Sequence, residues 1–203
     1  MRRLVIFVAA ISVAGIARGQ TPTPTPALAA QGLGGPVIPG LCLLSRQAVL
    51  ANAKVALAAA TRLRVLTDEA QREIDTERKP VDADIQAYNA EQAKLTPEQR
   101  QTRERALQAR LDPIEAKARL RSSEIDATRA KAVERITTEL QPVVAEVYGQ
   151  RKCGMLVDRT SVIGGNMAND LTLPVTQALD AKIATISFNR ETLPASAAAA
   201  GKP

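Results

Sequence analysis

Residues 41–148 contain no glycine, although Gly40 and Gly149 close the stretch at either end. Glycine is the residue that most readily makes tight turns and ends helices. A run of this length without it, rich in Ala, Leu, Arg, Glu and Gln, has little to become except long helix. Its one clear interruption is Leu95-Thr96-Pro97-Glu98-Gln99. Threonine at an N-cap, proline at the first helical position and glutamine two positions later form a helix-start signal. The signal predicts that one helix ends near Lys94 and a second begins at Pro97. A short connection makes the two antiparallel neighbours. Residues 46–148 therefore read as a helical hairpin with its tip near 95–98, each arm roughly 70 Å long at about 1.5 Å per residue.

The apolar period supports a coiled-coil seam. On the outgoing arm Val49, Ala53, Ala56, Ala60, Leu63, Thr67, Ala70 and Ile74 alternate steps of four and three, the spacing of a heptad. The pattern resumes as Val81, Ile85, Tyr88, Gln92 and Leu95. On the returning arm Leu107, Leu111, Ile114 and Ala118 match it, followed by Ala132, Ile136, Leu140, Val143 and Val147. Proline inside a helix removes a backbone hydrogen bond and favours a kink. Pro80 and Pro113 stand about equally far from the tip and would face each other, which suggests a shared arm hinge; the bland alternative is two prolines tolerated on exposed faces.

Short apolar pieces flank the hairpin. Val37-Ile38 and Leu41–Leu44 precede it, with Ser45 as a candidate N-cap and Gly149 as a candidate cap for the second helix. Cys153–Asp158 and Ser161–Ile163 read as two further strands, and Val175 to about Ile183 as a short helix. The expected fold class is mainly α with a small β part, in the order β-α-α-β-β-α. Segments 37–45 and 149–183 would form a β-rich unit. Three short strands cannot close their own edges, so this unit is expected to assemble with copies of itself through Leu41, Leu43, Leu44, Met155, Val157 and Val162. Residues 1–19, with Arg2-Arg3 before a short apolar run and Ala17-Arg18-Gly19 at its end, read as a cleaved secretory signal. Residues 20–36, including Thr21-Pro22-Thr23-Pro24, read as a linker. Residues 184–203 read as a flexible tail.

Several functions are poorly served by this composition. There is no histidine, which removes the usual general base and the common zinc ligand. No catalytic residue, metal site or cofactor is expected, and the chain does not read as an enzyme. The net charge is +6, but Arg2, Arg3 and Arg18 would leave with the signal. Basic and acidic residues are interleaved, and the chain has no tryptophan, two tyrosines and two phenylalanines. Nucleic-acid binding, which draws on clustered charge and stacking aromatics, is not expected.

With Leu43-Leu44-Ser45-Arg46-Gln47-Ala48-Val49-Leu50, with Gly154-Met155-Leu156-Val157-Asp158-Arg159-Thr160-Ser161-Val162, and with Asp170-Leu171-Thr172 before the last helix, the chain resembles the Skp/OmpH family of periplasmic chaperones over about residues 37–183. Where the family usually has aspartate, Ser45 stands. The resemblance implies a homotrimer whose strands form a small β-barrel-like trimerisation domain and whose hairpins project around a cavity. It also implies an ATP-independent periplasmic holdase for unfolded outer-membrane proteins. Leu66 and Leu120, at comparable heights on opposite arms, are candidate client contacts, or else pack between helices. Arg103 and Arg110 belong to a basic run on the distal returning arm that could attract acidic clients or lipid headgroups, or be a solvated face. The rival reading is a coiled-coil adaptor or spacer of the cell envelope with one dedicated partner.

Cys42 and Cys153 are the only cysteines. In an oxidising compartment such a pair reads as a disulfide, here stapling the hairpin base if the two flanking strands pair antiparallel. Two buried thiols are the alternative.

Overall fold

The computed structural model describes residues 34–194. The segment read as a signal (1–19), most of that read as a linker (20–36) and the end of that read as a tail lie outside the described residues. Strand β1 (Leu41–Leu44) runs straight into helix α1 (Arg46–Asn52). Ser45 is the N-cap, its Oγ accepting the Ala48 N–H at 3.1 Å, as a short side-chain oxygen is suited to do.

The outgoing arm is not one unbroken helix. Helix α1 stops at Ala53, which is extended (ψ 139) and wholly buried, and α2 then runs from Lys54 to Glu91. The break is compensated: Lys54 N–H, at the start of α2, donates to Asp180 Oδ1 at 2.7 Å. A carboxylate there also suits the positive end of the helix dipole. One non-helical residue in the middle of a heptad pattern turns the following helix relative to the preceding one. The buried positions are accordingly Val55, Ala59 and Leu66, whereas Ala60 and Thr67 of the expected seam are exposed. The expected phase returns at Ala70, Ile74, Val81 and Tyr88, all buried.

At the tip, Gln92–Lys94 make a single 3-10 turn and Thr96 starts helix α3 (Pro97–Gln150). The capping box is complete: Gln99 N–H donates to Thr96 Oγ1 at 3.3 Å, and Thr96 N–H to Gln99 Oε1 at 3.0 Å. Replacing Thr96 by alanine is expected to cost about 1 kcal/mol. The loss should appear as faster amide exchange confined to the first turn of α3; exchange unchanged there would contradict the cap's role. Helices α2 and α3 continue through Pro80, Pro113 and a third proline, Pro142.

Helix α3 ends in a Schellman turn. Cys153 N–H bonds to Tyr148 O at 3.1 Å and Lys152 N–H to Gly149 O at 3.0 Å, with Lys152 left-handed at φ 53. Arg151 is thus the C-cap and Lys152 the left-handed residue just beyond it, while Gly149 lies inside the last helical turn. That turn reverses the chain, so strand β2 (Met155–Asp158) runs beside β1 in the same direction, with Leu41 opposite Met155 and Leu44 opposite Asp158. The expected antiparallel pairing is corrected to parallel: the hairpin acts as the crossover, and a second reversal follows it. Gly40, at φ 75, aims its carbonyl at Gly154 N (2.7 Å) and Met155 N (2.9 Å) and sets this register.

Only two strands form among the described residues. Residues 159–161 make a 3-10 turn capped by Asp158, and Val162 follows it outside any strand. The other edge of β1 is met by residues 169–171: Leu43 N–H donates to Asn169 O at 3.0 Å, and Leu171 N–H to Leu43 O at 2.8 Å. Helix α4 (Thr172–Lys182) then packs on α1 and α3. Its Val175 and Leu179 join Val49, Val55, Leu140 and Leu171 in the main core. Each such side chain contributes about 1.5–3 kcal/mol by leaving water. The cluster on the distal arms is small: Ile74, Val81 and Ile114, flanked by Ile85, Leu111 and Ala118, with Tyr88 buried apart from it nearer the tip. Packing is therefore concentrated at the base and thin toward the tip.

The tail reading is corrected for residues 184–194. They take an extended course along the hairpin, with Ile186 buried and Phe188 packed on the main core.

Candidate functional site

Three surfaces could meet a partner. The first is the base. Of the strand residues expected to mediate assembly, Leu43 and Leu44 are buried within the chain itself and Leu41 partly so. They are committed to the protomer core because β1 is flanked on both edges. The apolar groups left exposed are others: Met155 at 61%, Ile163 at 103%, Leu173 at 65%, with Val37 and Ile38 beside Gly40. Val157 and Val162 are half-buried.

The second is the stem of the hairpin. Leu50, Ala56, Ala60 and Leu63 line an apolar groove with Val133 and Ile136 of α3. Leu57, at 54% exposed, and Val65 are further apolar groups open to solvent on α2. Leu66 is only 4% exposed, so it serves the inside of the protein rather than a client. The face turned outward by the Ala53 break carries Leu57 and Val65 instead. Leu120 remains half-buried.

The third is the distal arms. Arg103 and Arg110 are not part of an unpaired basic run: they bond to Glu91 and Asp84 across the hairpin, as Lys117 does to Glu77 and Arg121 to Glu73. The acidic residues at 73, 77, 84 and 91 mirror the basic ones at 121, 117, 110 and 103, so the antiparallel pairing is written twice, in apolar seam and in charge. Each exposed pair contributes about 0–1 kcal/mol, and their combined role is to hold register. Pro80 and Pro113 both stand between the levels of the Glu77–Lys117 and Asp84–Arg110 pairs, on exposed positions. Nearer the tip, Tyr88 OH donates to Glu104 Oε1 at 2.5 Å, and that bond raises the Tyr88 pKa.

At the junction of stem and distal arms lies a charged cluster that charge patterning alone does not reveal. Glu124 is 1% exposed. Arg121 Nη1 reaches it at 2.8 Å and Arg190 Nε at 3.3 Å, and its Oε1 accepts the Leu193 N–H at 3.3 Å. Arg121 and Arg190 also hold Glu73, at 2.8 and 3.2 Å. Partial burial works against ionisation of Glu73, but the hydrogen bonds from Arg121 and Arg190 outweigh it and hold its carboxyl below the ordinary 4.5. A carboxyl whose folded value is depressed stabilises fully above the ordinary value and ceases to as pH falls through the folded one. Attachment of residues 190–193 is therefore expected to be constant from neutral pH to about pH 5 and to weaken as pH drops further. Amide exchange at Leu193 measured across that range reads it; protection constant into strong acid would contradict the assignment.

The two sulfurs of Cys42 and Cys153 are joined in the structure, with Cα atoms 5.8 Å apart. The bond ties the start of β1 to the turn after α3, the two points where the hairpin leaves and rejoins the base.

The sequence profile of OmpH-like outer membrane proteins matches residues 41–179, which spans β1, both arms, β2 and most of α4. The chain belongs to the OmpH-like family. Among solved structures, a Caulobacter crescentus protein described as an OmpH-like outer membrane chaperone superposes with a TM-score of 0.70 at 34% identity, covering 80% of this chain and 96% of that one. No curated protein matches this OmpH-like chain. Residues 184–194 fall outside the profile match.

Proposed function

We propose that this OmpH-like protein is a periplasmic, ATP-independent holdase that keeps unfolded outer-membrane proteins from aggregating. The observation that carries the reading is the apolar groove on the stem, lined in part by exposed Val133, together with exposed Leu57 and Val65 elsewhere on α2, on arms of a family that includes outer membrane chaperones. Surfaces of this kind on long, thinly packed arms make many weak contacts, and their sum holds a client through effective concentration. Release then needs no energy source. Pro80 and Pro113 are assigned the hinge at which the distal arms adjust to client size, since two helices weakened at one level bend there together.

A homotrimer is proposed to build the cavity. The outer edge of β2 has no strand partner among the described residues, and Met155, Ile163 and Leu173 are open to water; an open strand edge beside exposed apolar groups is a surface that copies of the chain would cover. Light scattering of an unfolded outer-membrane protein diluted into buffer tests the function. Aggregation is expected to be suppressed at near-stoichiometric trimer and to return when Leu57 and Val133 are both changed to aspartate. Aggregation unchanged by the wild-type protein would overturn the holdase reading. Mass in solution tests the trimer separately, with Met155→Glu and Leu173→Glu together expected to give monomer.

A further inference from the structure

We propose that the groove between α2 and α3 filled by residues 184–194 is a binding site for extended polypeptide, and that this segment is its resident, displaceable occupant. The proposal deepens the holdase reading by naming a site and the chemistry of its ligand. Four side chains from the two arms bind the segment through its main chain. Arg135 donates to Ser187 O at 3.3 Å and Arg62 to Phe188 O at 3.3 Å; Thr128 Oγ1 accepts from Glu191 N at 2.9 Å and Glu124 Oε1 from Leu193 N at 3.3 Å. Contacts to main-chain groups are the same for any sequence, so this part of the site accepts any extended chain.

Side chains add a simple preference. Ile186 is buried, Phe188 and Arg190 are partly buried, and Ser187 and Asn189 between them are exposed. The period of two is that of a β-strand. Arg190 enters the Glu73–Glu124 pair. The ligand read by the groove is thus an extended segment with apolar residues at alternate positions and a base two places beyond the second. Strands of transmembrane β-barrels alternate apolar and polar residues in the same way, and unfolded chains of that class supply many such segments.

The resident segment follows α4 directly, so it competes at a local concentration of order millimolar. A single weak ligand would be kept out, whereas a client held elsewhere on the arms could displace it. Occupancy by the chain's own tail also accounts for how a groove holding a buried carboxylate stays satisfied when no client is present.

The test uses the full chain and a fluorescent peptide of residues 184–194. In a full-length variant carrying Phe188→Ser with Arg190→Glu, the groove itself is unaltered but its occupant is weakened. That variant is expected to bind the peptide at least about tenfold tighter than wild type does, because the tethered competitor is gone. A peptide bearing the same two changes should not bind. A folded variant that binds the peptide no better than wild type would overturn the proposal. Should the variant not fold, the wild-type chain still decides. Millimolar peptide is expected to speed amide exchange at Glu191 and Leu193, and unchanged exchange at saturation overturns the site. Neither arm involves a client, so failure of the holdase reading would leave the peptide result standing. Unfolded outer-membrane protein is then expected to displace the peptide from the variant; if it does not, the site is not one for that client class.

Discussion

Changing both Cys42 and Cys153 to alanine is expected to lower the unfolding free energy by about 4–5 kcal/mol. The bond closes a loop with a sequence separation of 111, which contains the entire hairpin. In the chain-entropy account, most of the stabilisation of so long a loop comes from restricting the unfolded chain. The urea dependence should change as well. An uncrosslinked unfolded state is more expanded and exposes more surface, so the slope of stability against urea is expected to rise in the double variant. Urea titration of oxidised wild type and variant at one fixed protein concentration measures both quantities, since any assembly makes stability concentration-dependent. A loss under about 1 kcal/mol, or two free thiols in the oxidised wild-type protein under denaturing, non-reducing conditions, would sink the idea. The position suits the need: packing thins toward the tip, so the arms rely on a base that keeps their roots together.

What could be read from the residues alone follows how local the controlling interaction is. Thr96, Pro97 and Gln99 cap a helix through contacts three residues apart, and the tip stands where they place it. The seam beyond Ala70 was legible for the same reason, because nothing interrupts its heptad rhythm. Its proximal half on the outgoing arm was not, since the break at Ala53 depends on Asp180 meeting Lys54 N–H from the far end of the chain, whereas Ala132, Ile136, Leu140, Val143 and Val147 on the unbroken returning arm are all buried as their spacing predicts. The direction of β2 turned on Lys152 taking a left-handed conformation that is usually glycine's, and Gly149 three residues earlier drew attention to the wrong position. Val162 alternates like a strand residue but follows a turn that Asp158 caps with its own side chain. The charge pairing across the arms did have a sequence signal. Acids at 77, 84 and 91 and bases at 103, 110 and 117 both repeat every seven residues, and setting one series against the other gives the hairpin register. The order in residues 184–194 also had a faint one, in the alternation of Ile186, Phe188 and Arg190. Nothing local, however, marks Glu124 as buried; on sequence it is one more acid on a charged helix.

Glu124 therefore carries the other large expected effect. Glu124→Ala is expected to cost about 3–5 kcal/mol, the usual range when one member of a buried ionic cluster is removed. The loss has three parts that act together. Arg121 and Arg190, each with side chains 20% exposed, would be left to share Glu73 as their remaining carboxylate. The Leu193 N–H would lose its acceptor. A small void would open between the stem and residues 190–193. Glu124→Gln separates these contributions, because the amide keeps the volume and the acceptor oxygen while removing the charge. Its cost should be smaller, about 1–3 kcal/mol. Replacing Glu124, Arg121 and Arg190 together by leucine should recover much of the loss, since well-packed apolar groups often stabilise as well as a buried ionic cluster does. Amide exchange at Glu191 and Leu193 in that triple variant separates stability from specificity. Recovered stability with fast exchange there would mean that the charges position residues 190–193 rather than hold the stem together, and Glu124→Ala within about 1 kcal/mol of wild type would show that the cluster does neither.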